Sequence, residues 1–307
     1  MINWFPGHMA QSRNQIQEAV RAVDIILELV DARLPLTSRN PDFVALTPQT
    51  QKPRLLVMTK ADLADPTETK AWLKAYRSID PNLAGAIAID LKEGKDLKRL
   101  QKAIAALYAP VLAKAKAKGR RQRTARLLCL GVPNCGKSTL TNKLCDRRSA
   151  QVENRPGVTR SFSYLLSRDK NYLLLDSPGI LPPRLDDFPG AALLAALGTI
   201  PQHLYPPVEV SSLVLACLKN YYPDRLCARY QIREGLLEDI AAPLDYLQIL
   251  DLVSQKKGFS MKEEGESRER AGRAVLQDLQ TQAFGRVTLE RPDQPRTNFL
   301  PEAFFHV

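Results

Sequence analysis

No apolar run in these 307 residues approaches the roughly 18–20 needed to cross a bilayer. The stretch from Met1 to Arg13 has no apolar core of the secretory kind. The expectation is therefore a cytoplasmic protein without a membrane role. Cysteine is scarce: Cys129, Cys135, Cys145, Cys217 and Cys227 form no Cys-x-x-Cys pair. That usage argues against a disulfide or zinc framework and for reduced, partly buried thiols. No internal repeat is visible. What remains, 44% hydrophobic and 25% charged, is ordinary globular composition, and the length suggests two domains.

Positive charge is abundant. The net charge is +11, and Lys114 to Arg126 reads KAKAKGRRQRTAR, seven basic residues with no acid. An excess clustered in this way favours a polyanionic partner, nucleic acid first.

The chain then falls into two characters. Helix-forming composition over residues 7–22 precedes the β-like run Ile25–Val30, which ends at Asp31. Further strands are expected at Arg54–Met58, Ala86–Ile89, Arg126–Leu130, Ser161–Leu166 and Tyr172–Leu175. Helices are expected at Pro66–Ser78, Lys95–Tyr108 and from Lys137. Strands alternating with helices predict a doubly wound, mostly parallel α/β sheet. Past the proline-rich stretch Pro178–Pro189 the pattern is helical, at Ala191–Leu197, Val210–Asn220, Pro243–Lys256 and Gly265–Ala283. The boundary falls in Pro182–Pro189, giving domains 1–187 and 188–307, the second ending in a loose tail over Arg291–Val307.

The strongest chemical signal is Gly131-Val132-Pro133-Asn134-Cys135-Gly136-Lys137-Ser138, a full match to G-x-x-x-x-G-K-[ST] between a strand and a helix. Glycines let the backbone wrap phosphates with its N–H groups pointing inward, and the helix N-terminus adds positive potential. Asn134, Cys135, Gly136, Lys137, Ser138 and Thr139 are the expected phosphate contacts. Lys137 neutralises the β- and γ-phosphates and Ser138 offers its hydroxyl to Mg²⁺.

Asp176-Ser177-Pro178-Gly179 follows 38 residues after Ser138, at the end of a strand. It resembles the D-x-x-G motif of GTPases, in which the aspartate holds Mg²⁺ through water and the glycine amide senses the γ-phosphate. Thr159, in Arg155-Pro156-Gly157-Val158-Thr159, is the candidate to complete the metal shell. No N-K-x-D follows Gly179. Before the phosphate loop, however, the strand Arg54–Met58 ends in Thr59-Lys60-Ala61-Asp62. Asp62 would accept from N1–H and N2 of guanine, with the Lys60 stem on the face of the base. The strand Ala86–Ile89 ends at Asp90, where a loop would back the base. Base-reading motifs ahead of the phosphate loop imply a circularly permuted Ras-like GTPase domain followed by an all-α domain. Residues around Val111–Ala125 then join the old chain ends.

At this point the sequence resembles the permuted bacterial ribosome biogenesis GTPase A family, also called YlqF. The resemblance lies in Trp4-Phe5-Pro6-Gly7-His8-Met9, Leu29-Val30-Asp31-Ala32-Arg33, Ser38-Arg39-Asn40-Pro41, the phosphate loop and Asp176-Ser177-Pro178-Gly179-Ile180. It is looser at Tyr222-Pro223 and Ala283-Phe284-Gly285-Arg286. It implies action on the large ribosomal subunit or its precursor through ribosomal RNA, with no DNA partner. It nominates His8 to place the attacking water, because Ile180 stands where many GTPases carry glutamine. It nominates Asn134 to help bind K⁺ beside the phosphates. Thr59 stands where the family has asparagine and Asp90 where serine is usual, so the base pocket is expected to be looser; the tail after Pro295 resembles an addition. Rival readings are a regulatory GTPase acting on another RNA or protein, a nucleotide-sensitive RNA-binding scaffold, and an ATPase, the last disfavoured by Asp62.

Overall fold

The computed structural model describes residues 9–46, 52–119, 124–145, 164–175, 188–233, 235, 237, 246–259 and 264–294. Among these, Leu63–Glu68 and the chain from 188 onward form one compact unit, and 9–62 with 69–175 form the other.

The second of these units holds a six-stranded sheet: β1 (Ile25–Asp31), β2 (Arg54–Thr59), β3 (Gly85–Ala88), β4 (Ala125–Gly131), β5 (Tyr164–Leu166) and β6 (Tyr172–Leu175). The order is β3-β2-β1-β4-β6-β5, parallel throughout except for the antiparallel β5–β6 pair. Parallel strands are covered on both faces and read as continuous apolar runs. That is why β1 and β2 are buried at every position. Side chains alternate between faces. Ile26, Leu128, Leu130 and Leu175 meet Ile16, Ala19 and Val20 of α1 (Met9–Ala22), with Phe43 of α2 (Pro41–Leu46). The remaining helices of this unit are α3 (Pro66–Ile79, from Thr69), α4 (Gly94–Ala117) and α5 (Lys137–Leu144).

Two details depart from expectation. Helix α4 does not stop near Tyr108; it runs through Pro110 to Ala117. The alternating Ala and Lys beyond Pro110 are strong helix formers, and they absorb a residue that usually ends a helix. The basic residues Lys114 and Lys116 are therefore the last turn of a helix and not part of a linker. Helix α2 has no counterpart in the sequence reading; it is short and starts at Pro41, a favoured first helical residue.

A buried ion cluster fixes the loop after β1. Arg39 donates to Glu28 at 2.7 Å and to Asp80 at 2.5 Å, while Arg54 donates to Glu28 at 3.1 Å and also to Asp80. Arg39 lies over the Tyr76 ring, and the Tyr76 hydroxyl donates to the Pro35 carbonyl at 2.5 Å. Two guanidiniums against two carboxylates leave no charge unmatched within the cluster, the condition for tolerating burial.

The other unit is helical: α6 (Phe188–Ala196), α7 (Pro207–Tyr221), α8 (Pro223–Tyr230), α9 (Tyr246–Lys257) and α10 (Glu264–Gln280). Buried α7 is its centre, packed by α6, α8, α9 and α10. Gly272 permits the close crossing of α10 over α7, since a Cβ there would stand 2.7 Å from the Pro207 carbonyl oxygen. Helix α8, absent from the sequence reading, is pinned by the Arg229–Asp278 pair at 2.8 Å. The segment after α10 also takes up Leu63–Glu68: Asp65 N–H donates to the Thr288 hydroxyl at 3.1 Å, and Val287 N–H to the Leu63 carbonyl at 3.2 Å. The tail from Pro295 lies outside the described residues.

Candidate nucleotide-binding site

The site lies at the carboxyl ends of β4, β2 and β3, where open parallel sheets bind ligands. β4 delivers the phosphate loop into α5. Gly131 has to be glycine: a Cβ there would stand 2.6 Å from both the Cys135 sulfur and the Leu29 carbonyl oxygen. Asn134 (φ 58°) and Gly136 (φ 99°) are left-handed, which curls the loop toward the start of α5. Inside that curl lies the Lys137 ammonium, donating to the Gly131 and Val132 carbonyls at 2.8 and 2.7 Å. The side chain is buried, so the loop holds a positive charge ready for an anion. Ser138 and Thr139 are exposed in the first turn of α5. Burial pushes the Cys135 thiol up, against the opposing charge of Lys137, so it is a neutral filler of the loop.

The strand assigned to the base, β2, is joined to this loop. The Thr59 hydroxyl lies 2.5 Å from the Cys135 carbonyl oxygen and 3.0 Å from that of Val30. Threonine is shorter than asparagine, yet here it bridges β1, β2 and the phosphate loop. Lys60, also left-handed at φ 55°, pairs with Asp31 at 2.9 Å. Asp31 accepts from the Arg33 side chain at 3.0 and 2.8 Å. Burial alone would raise the Asp31 carboxyl, but the Arg33 guanidinium, with Lys60 beside it, holds it well below the usual carboxylate range. Asp31, favoured in its ionised form, thus anchors Lys60. Ala61 N–H donates to the Ile89 carbonyl at 3.2 Å, which ties the Asp62 turn to the end of β3. In the following loop Asp90 accepts from Lys92 N–H at 2.7 Å. Leu91 completes the assembly: a Cβ on Gly136 would lie 3.6 Å from its Cδ1.

Thr59, Lys60, Asp62, Asp90 and the loop from Asn134 to Thr139 therefore stand in one neighbourhood, although the sequence spreads them over eighty residues. His8, Thr159, Asp176 and Gly179 lie outside the described residues. Asp31 and Lys92 are the contributors that sequence reasoning missed. Asp31 was visible as the polar end of an apolar run; nothing local pointed to Lys92.

Comparison with known proteins decides the family. The chain is 37% identical, over 96% of its length, to Ribosome biogenesis GTPase A of Bacillus cereus, and the match covers 95% of that protein. The chain belongs to the ribosome biogenesis GTPase A family. Ribosome biogenesis GTPase A of Bacillus licheniformis is 36% identical over 95% of this chain and 99% of its own length. Residues 126–204 match the family described as "50S ribosome-binding GTPase". Among solved structures, GNP-bound YlqF from T. maritima superposes with a TM-score of 0.61 at 22% identity, covering 93% of this chain and all of that one. The GDP-bound TM YlqF structure gives the same score at 23% identity, covering 91% and 100%. As a member of this GTPase family, the chain has a GTPase fold, and its phosphate loop and the strand ending at Thr59 belong to one sheet.

Proposed function

We propose that this protein hydrolyses GTP to GDP and phosphate as a nucleotide-dependent switch in assembly of the large ribosomal subunit. The bridge from Thr59 to the Cys135 carbonyl is the observation that carries the reading, because it joins the base-reading strand to the phosphate loop. Residues 1–187 are read as a circularly permuted GTPase domain and 188–307 as a helical domain that binds RNA or the ribosome, in the cytoplasm.

The residues divide the chemistry among them. Asp62 accepts from guanine N1–H and N2, and the Lys60 stem covers the base. Lys137 and the loop amides take up charge on the phosphates as the γ-phosphoryl departs, the kind of pre-set electrostatics that dominates phosphoryl transfer. Ser138, an exposed hydroxyl beside Lys137, suits Mg²⁺, a hard cation with oxygen ligands. Thr159 and Asp176 would complete its shell, and Gly179 would sense the γ-phosphate. The ion supplies charge neutralisation when bound.

His8 is proposed to place the attacking water. His8→Ala should lower turnover with nearly unchanged GTP affinity, because the contact matters in the transition state; full-speed turnover on the ribosomal partner removes the role. Asn134, exposed on the left-handed corner of the loop, is proposed to help hold K⁺ against the phosphates. Hydrolysis should then be faster in K⁺ than in Na⁺, and Asn134→Ala should flatten the difference. Equal rates of wild type in the two salts would remove the ion.

Sedimentation with ribosomal particles tests the whole reading. Tight association with large-subunit particles is expected with a GTP analogue and weaker association with GDP. Lys114, Lys116 and Lys118 are exposed around the end of α4. If they meet RNA phosphates, replacing all three with alanine should weaken the complex and reduce its salt slope by about 2, with nucleotide binding unchanged. Association indifferent to nucleotide and salt, or with the small subunit instead, contradicts the proposal.

A further inference from the structure

Lys92 reaches out of the loop after β3 and donates to Asp62 at 2.7 Å. Its side chain is 76% exposed and that of Asp62 22%. An ion pair this exposed adds little to stability, so its interest lies in where it sits. Asp62 is the carboxylate assigned to guanine, and Asp90 puts a second carboxylate in the neighbouring loop. Asp90 is held in place there: its N–H donates to Asp96 at 2.9 Å, and its side chain accepts from Lys92 N–H at 2.7 Å. Asp96 has its own counter-ion in Arg99, at 2.7 Å. Lys92 is a cation that reaches Asp62.

We infer that Lys92 is a positioning and specificity-determining residue for guanine, acting through Asp62. It holds one carboxylate oxygen from the solvent side and offsets the negative charge that Asp90 brings beside the base pocket. An ionised carboxylate has about four acceptor sites, so Lys92 and both guanine donors fit on it together. The Lys92 ammonium is itself held in the charged form, by the hydrogen bond to Asp62 first and by the charges of Asp62 and Asp90. Lys92 and Asp90 then work as a pair: the aspartate is tolerated because the lysine faces it.

The inference rests on Asp62 reading the base, and the experiment separates the two. Affinities for GDP, IDP and ADP are measured by displacement of a fluorescent GDP from wild type, Lys92→Ala, Lys92→Arg, Asp90→Ser and the Lys92→Ala/Asp90→Ser double variant. Lys92→Ala should weaken GDP about tenfold, as coupled neighbours do. It should weaken IDP less, since hypoxanthine lacks the N2 donor and leans less on Asp62. Lys92→Arg should stay near wild type. In the Asp90→Ser background the same Lys92→Ala change should cost less than about twofold, because the charge to be offset is gone. A Lys92→Ala protein that binds GDP as wild type does overturns the inference. So does an equal loss of GDP and IDP that Asp90→Ser fails to relieve, which would make Lys92 a general attractor of phosphate. If wild type shows no preference for GDP over ADP, the base-reading assignment of Asp62 fails and takes Lys92 with it. If wild type prefers guanine and Lys92→Ala keeps that preference in full, Lys92 alone fails.

Discussion

A Lys137→Ala protein is expected to keep its fold and lose nearly all measurable affinity for GTP and GDP. The ammonium is buried within the phosphate loop and donates to the carbonyls of Gly131 and Val132. Those carbonyls belong to the end of β4 and to the phosphate loop itself, so the fold is expected to survive loss of the ammonium. In the proposed role it makes charge-assisted contacts to phosphate, each contributing ~1.5–3 kcal/mol. Two such contacts together correspond to a loss of roughly two to four orders of magnitude in affinity. Titration with fluorescent GDP, alongside a thermal melt, checks both halves. Binding within a few-fold of wild type would mean that the loop is not the phosphate site.

Asp62→Asn should exchange guanine for xanthine. In the proposed role the carboxylate accepts from N1–H and from the exocyclic amine, whereas xanthine carries an acceptor in place of that amine. An asparagine offers it a donor. Loss of charge-assisted acceptance should weaken GTP by roughly ten- to a hundredfold, and XTP should bind the variant better than it binds wild type. Thr59 is unaffected by the change. Its hydroxyl, within reach of the Cys135 carbonyl, keeps the strand against the phosphate loop, so phosphate contacts should persist and the loss should be confined to the base. Competition of GTP, XTP and ATP against fluorescent GDP reads this directly. Loss of all three together would show that Asp62 supports the loop instead of reading the base.

The sheet was largely legible because parallel strands buried on both faces must be short apolar runs. Ile25–Val30 and Tyr172–Leu175 were found on that ground alone. The phosphate loop was legible for a different reason: its glycines and lysine are local, and the backbone geometry demands those residue types at fixed spacing. Contacts between distant loops were not. Asp31 meets Lys60 across twenty-nine residues and Asp62 meets Lys92 across thirty. No periodicity encodes such pairs; sheet register creates them. The same holds for Glu28, a charge in the middle of a buried strand, whose partners Arg39 and Arg54 come from a loop and from the next strand. Thr59 was expected to loosen the pocket because it is not asparagine. Its hydroxyl lies within reach of the Val30 and Cys135 carbonyls, a link between the strand end and the phosphate loop that no local pattern announced. Helix α4 outran its expected end because helix propensity on both sides of Pro110 outweighed one missing backbone donor.

Phosphate release in KCl and MgCl₂, from GTP and from ATP, with and without purified large-subunit particles, tests the central claim most directly. The account predicts turnover with GTP far above that with ATP, raised further by large-subunit particles and not by small-subunit particles. Equal turnover of ATP, or GTP hydrolysis that ignores the large subunit and responds to the small one, would contradict it.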